Sequence, residues 1–232
     1  MWQGKPKKDG LSMLIVIEGV DGSGKQTHTE LLLKKLSSNK DVLKIQFPDY
    51  NSNSSALVKM YLAGEFGTKP DDVNPYVASS FYAVDRAASY LKNWKTILEQ
   101  GTIILADRYT TSNAIHQASK ICGAEQESFL SWLFDYEYNL LKLPKPNLVV
   151  FLDMPPEYGL ELIKSRENKF TGEQAKDIHE KDEIYLKNSY MTALKVANKY
   201  GWNIIKCINN GKIRSIEEIN NDVYNLVVKC IK

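Results

Sequence analysis

From Leu14 onward, short apolar runs alternate along the chain with longer segments in which apolar residues recur at helical spacing. The apolar runs show no polar alternation, which is typical of strands covered on both faces. We predict strands at Leu14–Ile17, Val42–Phe47, Thr102–Ala106, Leu148–Asp153 and Asn203–Cys207. We predict helices at Gln26–Ser37, Ser54–Ala63, Asn74–Glu99, Gln126–Leu140, Pro155–Arg166, Asp177–Tyr200 and Ser215–Ile231. This order of elements predicts an α/β domain in which helices flank a five-stranded parallel sheet.

Two polar segments lie outside this pattern. Residues 1–12 contain three lysines and no apolar run, so we expect a flexible N-terminal extension and assign residues 13–232 to one domain. The second segment, Glu167–Lys176, lies between two predicted helices. Because ligand-covering loops of α/β enzymes lie beside the carboxyl ends of the strands, we predict a short lid at about residues 166–177.

The charge balance argues against a nucleic-acid-binding protein. The 232 residues include 30 basic and 28 acidic side chains, a formal net charge of +2, whereas domains that bind phosphate backbones carry a strong positive excess. The three cysteines show neither CxxC nor Cys/His metal spacing. No apolar run reaches membrane-spanning length. We therefore expect a cytoplasmic protein with neither nucleic acid nor a membrane as partner.

A glycine-rich segment directly follows the first predicted strand. It reads Gly-Val-Asp-Gly-Ser-Gly-Lys-Gln-Thr from Gly19 and precedes a predicted helix, which is the context of a phosphate-binding loop. Backbone N–H groups of such a loop bind phosphate oxygens, and Lys25 reaches the β and γ phosphates. We predict ATP-phosphate binding at Gly19, Asp21, Gly22, Ser23, Gly24, Lys25, Gln26 and Thr27. The expected fold is a P-loop NTPase-type three-layer sandwich with a short lid.

The residue after the loop lysine departs from the usual pattern. Gln26 stands where phosphate-binding loops carry a Ser or Thr whose hydroxyl binds magnesium, and Thr27 supplies a hydroxyl one position later. Mg²⁺ prefers carboxylate, phosphate and water oxygens. We therefore predict that Asp21 and Asp107 contribute to the metal site, directly or through water.

Four segments in order resemble the thymidylate kinase family. They are Glu-Gly-Val-Asp-Gly from Glu18, Phe-Pro-Asp-Tyr from Phe47, Phe-Tyr-Ala-Val-Asp-Arg from Phe81, and Asp-Arg-Tyr-Thr-Thr-Ser-Asn-Ala-Ile-His-Gln from Asp107. The resemblance extends over nearly the whole chain from Met13. It implies ATP as phosphoryl donor, dTMP as acceptor and Mg²⁺ as cofactor.

The resemblance also implies which residues bind the acceptor. Arg108 offers the planar fork suited to a phosphate group, and Tyr50 supports that phosphate. Tyr82 stacks on thymine, and Arg86 reaches a base carbonyl. The full set of expected dTMP contacts is Asp21, Phe47, Tyr50, Tyr82, Arg86, Arg108, Ser112, Asn113, His116 and Gln117. His116 replaces a tyrosine of the family pattern, and we interpret it as a wall that crowds a 2′-hydroxyl. Taken singly, these side chains are also typical of core or ion-pair positions.

Catalysis is expected to be direct in-line transfer, supported by Lys25, Asp107 and Arg108. The phosphate loop has no basic residue at Gly22, so the family pattern implies a cation from the lid. Arg166, with Lys169 as the second candidate, is predicted to neutralise the transferring phosphoryl group.

Two other functions stay open at this point. A deoxynucleoside kinase shares a phosphate loop and an aspartate-arginine segment but must deprotonate a sugar hydroxyl with a carboxylate base, for which Glu18 is available. A non-catalytic nucleotide-binding switch is the second, although the Asn-Lys-x-Asp motif of GTPases is absent from the sequence. The resemblance further implies a homodimer, which the apolar faces of Phe81 to Leu91 and Phe129 to Leu140 would permit.

Overall fold

The computed structural model describes residues 12–163 and 182–231. The strands are β1 (Met13–Glu18), β2 (Val42–Gln46), β3 (Ile103–Asp107), β4 (Leu148–Asp153), β5 (Asn203–Lys206), β6 (Ile208–Asn209) and β7 (Lys212–Ile213). The helices are α1 (Lys25–Leu36), α2 (Ala56–Ala63), α3 (Pro75–Ser89), α4 (Lys95–Glu99), α5 (Thr110–His116), α6 (Gly123–Phe134), α7 (Pro156–Ile163), α8 (Glu183–Lys199) and α9 (Ile216–Cys230). Strands β1 to β5 form one parallel sheet in the order β2-β3-β1-β4-β5. All five predicted strands, and the α/β class, are confirmed.

Successive side chains of the central strands enter two different cores. Ile15 and Ile17 of β1 pack with α1 and α9 on one face, whereas Leu14 and Val16 pack with Trp94 and Tyr109 on the other. Because both faces are covered, β1 is buried along its whole length, which explains its continuous apolar sequence. The predicted three-layer sandwich is therefore confirmed.

The predicted helices exist, but two of them change geometry partway. The segment predicted as one helix at Asn74–Glu99 contains α3, a π-helical stretch at Tyr90–Trp94, and α4. Helix α6 begins three residues earlier than predicted and continues into a second π-helical stretch at Asp135–Leu140. Single π turns insert an extra residue into a helix and shift the side chains that follow.

Two elements were not predicted. Helix α5 has seven residues, and the hairpin of β6 and β7 pairs only two residues on each side. Conversely, the proposed N-terminal extension, apart from Ser12, and the proposed lid at about residues 166–177 lie outside the described residues. Within residues 12–163 and 182–231, no helix is both long and apolar enough to cross a membrane.

The strand order determines where a ligand can bind. Strand β1 lies at the centre of the sheet, between β3 and β4. Strands β2 and β3 lie on one side of β1, and β4 and β5 lie on the other, so the strand order reverses at β1. Ligands of open α/β sheets bind outside the carboxyl ends of the strands at such a switch point. The segments after β1, β2 and β3 all lead to this edge.

Candidate active site

The phosphate-binding loop joins β1 to α1 through a left-handed turn. Gly24 precedes α1 with a φ of 80°, a conformation that is unfavourable for residues with a Cβ. The first α1 residue, Lys25, is buried, and its Nζ donates to the carbonyl oxygen of Val20 at 2.7 Å. Burial and the nearby Arg108 cation lower the pKa of Lys25 to about 7, against the opposing effect of Asp21, Asp107 and Glu18. The Lys25 ammonium thus lies within the loop that is expected to bind the phosphate groups.

Gln26 and Thr27 face the solvent, unlike Lys25. The Gln26 amide Nε2 donates to Oε1 of Glu30 at 3.1 Å, one helical turn further along α1. Ser23 is buried, and its hydroxyl lies 3.5 Å from the Lys25 Nζ. Of the loop hydroxyls, that of Ser23 therefore lies against the lysine, and that of Thr27 lies on the exposed surface of α1.

Arg108 is held at the carboxyl end of β3 in a strained backbone conformation. Its φ is 67°, which is uncommon for a residue other than glycine and is often associated with functional sites. The guanidinium forms an ion pair with Asp21 of the phosphate loop. Its NH1 lies 3.2 Å from Nε2 of His116 and 3.4 Å from the hydroxyl of Ser112. The structure therefore brings together four predicted site residues from two separate segments.

His116 is neutral in this environment. Burial lowers its pKa to about 3, and the positive charge of Arg108 acts in the same direction, while Asp21 opposes them. A neutral Nε2 without a proton can accept the hydrogen bond from the Arg108 guanidinium. The imidazole also stacks on the ring of Tyr185 in α8, with centroids 6.2 Å apart. His116 is thus an uncharged side chain that is held beside Arg108 by its contacts with the guanidinium and with Tyr185.

The side chains predicted to contact the base lie on α3, on α5 and directly after α5, and each is at least partly buried. Tyr82 is half-buried and lies edge-on to Tyr61, with centroids 6.3 Å apart. Asn113 is buried and donates from Nδ2 to the carbonyl oxygen of Ser79 at 3.3 Å. Gln117 is fully buried, and its amide nitrogen and oxygen have no hydrogen-bond partner among the described residues. Because buried amides are nearly always paired, this one is suited to a ligand or an ordered water.

The Phe-Pro-Asp-Tyr segment after β2 divides between core and site. Phe47 is 3% exposed and packs against Tyr109 in the core, so its predicted contact with dTMP is not supported by its position. Tyr50 is partly buried and lies close enough to Arg108 for a phenolate at this position to raise the pKa of the arginine. The backbone N–H of Asp49 donates to Asp85 of α3 at 2.8 Å, which fixes this segment.

Arg86 forms a buried ion pair with Glu137. It is 1% exposed, and its Nε and NH2 donate to the two carboxylate oxygens of Glu137 at 2.7 and 2.5 Å. Its NH1 lies 3.4 Å from the carbonyl oxygen of Tyr109. A structural ion pair, which the sequence left open, accounts for these contacts. A contact with a base carbonyl would therefore have to use the N–H groups of Arg86 that do not bind Glu137, such as those of NH1.

Three acidic side chains were not predicted as part of the site. Glu18 accepts hydrogen bonds from Thr111 and Ser112, Asp85 holds the segment after β2, and Glu137 holds Arg86. All three are 0% exposed. Their signal in the sequence is an acidic residue within an otherwise apolar or aromatic segment, which indicates burial with a partner but does not identify it.

The carboxylates predicted to hold the metal, Asp21 and Asp107, lie near Lys25 and Arg108. Asp107 ends β3 and is 4% exposed, and its charge raises the pKa of both Lys25 and Arg108. Among the described residues, no group of three His, Cys, Asp or Glu side chains has the geometry of a metal site. Mg²⁺ is commonly bound by one or two carboxylates together with substrate phosphates and water. Arg166 and Lys169 lie outside the described residues.

Comparison with known proteins agrees with this arrangement. The family model for thymidylate kinase matches residues 17–219. A thymidylate kinase of Mycobacterium tuberculosis is 31% identical over 176 residues, which is 73% of this chain and 78% of that protein. A probable thymidylate kinase of Thermococcus onnurineus is 28% identical over 93% of this chain and 97% of its own length. A thymidylate kinase of Plasmodium falciparum is 26% identical, with coverages of 96% and 92%. With the phosphate loop, the Asp-Arg-Tyr segment and this match over most of its length, the chain belongs to the thymidylate kinase family.

Proposed function

We propose that this chain transfers the terminal phosphoryl group of ATP to dTMP, giving dTDP and ADP. The observation that carries the proposal is the convergence of two phosphate-binding cations at adjacent strand ends. Lys25 follows β1 and Arg108 follows β3, and the two strands are neighbours in the sheet. Such an arrangement suits a donor phosphate on one side and an acceptor phosphate on the other, aligned for in-line transfer.

On the donor side, the phosphate loop and Lys25 bind the ATP phosphates. The Lys25 ammonium donates to the Val20 carbonyl, and phosphate oxygens would replace that partner. Asp107, with Asp21, would hold Mg²⁺ on the nucleotide. The ion supplies charge neutralisation between the donor phosphates. Ser23 and the loop N–H groups orient the phosphates.

On the acceptor side, Arg108 binds the phosphate of dTMP. Its guanidinium is paired with Asp21, so an arriving phosphate dianion competes with a single carboxylate for the same N–H groups. Tyr50 and Ser112 lie near this group. Tyr82 would provide the stacking surface for thymine, and Asn113 and Gln117 the amides for its edge. The amide of Gln117, which has no hydrogen-bond partner among residues 12–163 and 182–231, supports this assignment, since thymine offers both carbonyl oxygens and an N–H.

The structure argues against the two alternatives. A deoxynucleoside kinase would need Glu18 as a base beside the sugar, but this carboxylate is fully buried and accepts hydrogen bonds from the side chains of Thr111 and Ser112. Its complete burial keeps it away from a sugar hydroxyl. A switch without transferase activity would have no use for a second phosphate-binding arginine beside the loop lysine.

We also propose that two chains associate through α3. The exposed surface of α3 and of the π-helical stretch that follows it carries Val77, Val84 and Leu91, which recur every seven residues and are 47%, 50% and 69% exposed. Residues at this spacing lie along one stripe of a helix. In contrast, Phe129, Leu130 and Leu133 of α6 are buried within the chain. The α6 face that the sequence suggested is therefore largely used internally.

The test is ADP release from ATP with a panel of acceptors: dTMP, dUMP, dCMP, dGMP and thymidine. We expect dTMP to be preferred, with dUMP about 10- to 200-fold weaker, since one methyl group in an apolar pocket discriminates by about that factor. Thymidine should give no turnover. Lys25→Met should abolish transfer while the circular dichroism spectrum remains unchanged. Phosphorylation of thymidine in preference to dTMP would refute the proposal.

A further inference from the structure

Glu18 connects the two halves of the site. It is the last residue of β1, and its Oε1 accepts hydrogen bonds from the backbone N–H of Tyr109 at 3.2 Å, the Thr111 hydroxyl at 2.7 Å and the Ser112 hydroxyl at 2.8 Å. Its Oε2 accepts from the N–H of Gly19, the first residue of the phosphate loop, at 3.3 Å. One buried carboxylate is therefore bonded to both the donor loop and the first turn of α5.

Arg108, which directly precedes Tyr109, has a strained backbone conformation. Arg108 has a left-handed φ of 67°, and such a conformation persists only where neighbouring contacts hold it. On its N-terminal side Asp107 is fixed in the sheet by pairing with Ile17. On its C-terminal side Tyr109 is fixed by Glu18. The Glu18 carboxylate thus fixes the C-terminal end, Tyr109, of the turn that orients the Arg108 guanidinium.

The same contacts fix the start of α5. The sequence Thr-Thr-Ser from Thr110 is a poor helix former, because its side chains compete for the backbone. In the structure these hydroxyls bind buried carboxylates instead: Thr111 and Ser112 donate to Glu18, and Thr110 donates to Glu137 at 2.7 Å. Helix α5 carries Asn113 and is followed directly by Gln117, the two amides assigned to the edge of the thymine, so its position determines where that edge lies.

We propose that Glu18 is a positioning residue for phosphoryl transfer, which holds the Arg108 turn and the start of α5 in register with the phosphate loop. It touches neither substrate. It acts through Arg108 and α5, so that the acceptor phosphate meets the donor phosphate in line. The inference rests on the proposed function and deepens it, since it names the group that couples the two substrate sites.

The experiment compares Glu18→Gln and Glu18→Ala with the wild-type chain in steady-state kinetics for both substrates. Loss of a buried charge-assisted hydrogen-bond acceptor should raise the KM for dTMP by about 10- to 100-fold in Glu18→Ala. The kcat should fall as well, because the acceptor is misaligned. The KM for ATP should rise much less, because Glu18 makes one contact of 3.3 Å with the phosphate loop and three shorter ones with Tyr109, Thr111 and Ser112. Glu18→Gln keeps one carbonyl oxygen for Tyr109 and Thr111, and should therefore lie between wild type and Glu18→Ala.

A second variant keeps the test decisive if Glu18→Ala does not fold. Thr111→Val removes one donor to Glu18 and leaves the carboxylate in place. It should raise the KM for dTMP in the same direction by a smaller factor. Added to Glu18→Gln, it should have less effect than it has alone, because both changes act through one contact.

The control for a purely structural role is Val223→Ala in α9. Val223 is 0% exposed in the core on the other face of the sheet, so its truncation lowers stability without touching the site. It should leave both KM values unchanged. If the Glu18 variants only lower the melting temperature, as this control does, the inference is wrong. If wild type does not phosphorylate dTMP, the proposed function and this inference both fail, whereas active wild type with equally active Glu18 variants refutes the inference alone.

Discussion

The backbones of Gly22 and Gly159 are in direct contact. A Cβ placed on Gly22 would lie 2.3 Å from the carbonyl oxygen of Gly159, and a Cβ placed on Gly159 would lie 2.9 Å from the carbonyl oxygen of Asp21. Helix α7, which precedes the proposed lid in the sequence, thus packs directly against the phosphate loop, backbone to backbone, at Gly159. This contact explains why a basic side chain at Gly22 would not fit here.

Gly159→Ala should therefore disturb the donor site. The added methyl group would lie 2.9 Å from the carbonyl oxygen of Asp21, and overpacking of this kind costs about 1 to 3 kcal/mol. We expect a higher KM for ATP and a nearly unchanged KM for dTMP. Glu157→Ala, an exposed position on the same helix, is the matched control. Equal KM values for ATP in the two variants would show that the contact tolerates the methyl group.

The pair of Arg86 and Glu137 should dominate stability on the acceptor side. Both side chains are at most 1% exposed, and removal of one partner from a buried pair costs about 3 to 5 kcal/mol. Glu137→Ala should lose that much in urea unfolding. Glu30→Ala, which removes the partner of Lys44 on the surface, should lose at most about 1 kcal/mol. Similar losses in both variants would mean that Arg86 finds another partner.

Parts of the site could be predicted because their signals are local in sequence. Residues Gly19 to Lys25 are contiguous, and Arg108 directly follows a buried strand. The partner of Arg86 could not be predicted in the same way, because Glu137 lies 51 residues away on a π-helical stretch. Its side chain reaches Arg86 only because of that local geometry.

Helix α5 was missed for a related reason. Helix propensity and periodicity are properties of the segment itself, and Thr110 to Ser112 score poorly on both. Two carboxylates from other parts of the fold, Glu18 and Glu137, bind these hydroxyls and stabilise the helix from outside. Tertiary contacts of this kind are invisible in a local pattern.

The metal assignment leads to a comparison of two variants. Gln26 is exposed and hydrogen-bonded to Glu30, whereas Asp107 lies beside Lys25 and Arg108. Gln26→Ala should therefore keep most of the activity. Asp107→Asn should lose most of it and require a higher magnesium concentration for half-maximal rate. A magnesium titration of both variants checks this, and the reverse ranking would place the ion near Gln26 instead.

The lid prediction concerns the charge that develops during transfer. Arginines supplied to a transferring phosphoryl group accelerate it by about 10³- to 10⁵-fold. We expect Arg166→Ala to lower kcat by orders of magnitude with little change in the KM for dTMP, and Lys169→Ala to have a smaller effect. If neither variant loses tenfold in kcat, roughly 1.4 kcal/mol of transition-state stabilisation, the neutralising cation lies elsewhere in the chain.

The pKa of Lys25 predicts that ATP binding takes up a proton above neutral pH. Burial first, and the Arg108 cation second, lower this pKa from 10.5 to about 7. At pH 8, roughly nine in ten free chains then carry a neutral lysine. A bound triphosphate brings negative charge to Nζ, favours the ammonium form and raises the pKa again. Binding at pH 8 should therefore take up nearly one proton at Lys25, and binding at pH 6 almost none, since the lysine is already charged.

Calorimetric titration with ATP in two buffers of different ionisation enthalpy measures this uptake. The nucleotide exchanges protons of its own, so the matched control is Lys25→Arg, whose guanidinium stays charged over the whole range. The difference between the two chains isolates the lysine: it should be close to one proton at pH 8 and vanish at pH 6. Equal uptake by wild type and Lys25→Arg at pH 8 would mean that Lys25 is charged before ATP arrives, and that Asp21, Asp107 and Glu18 outweigh the burial of its ammonium.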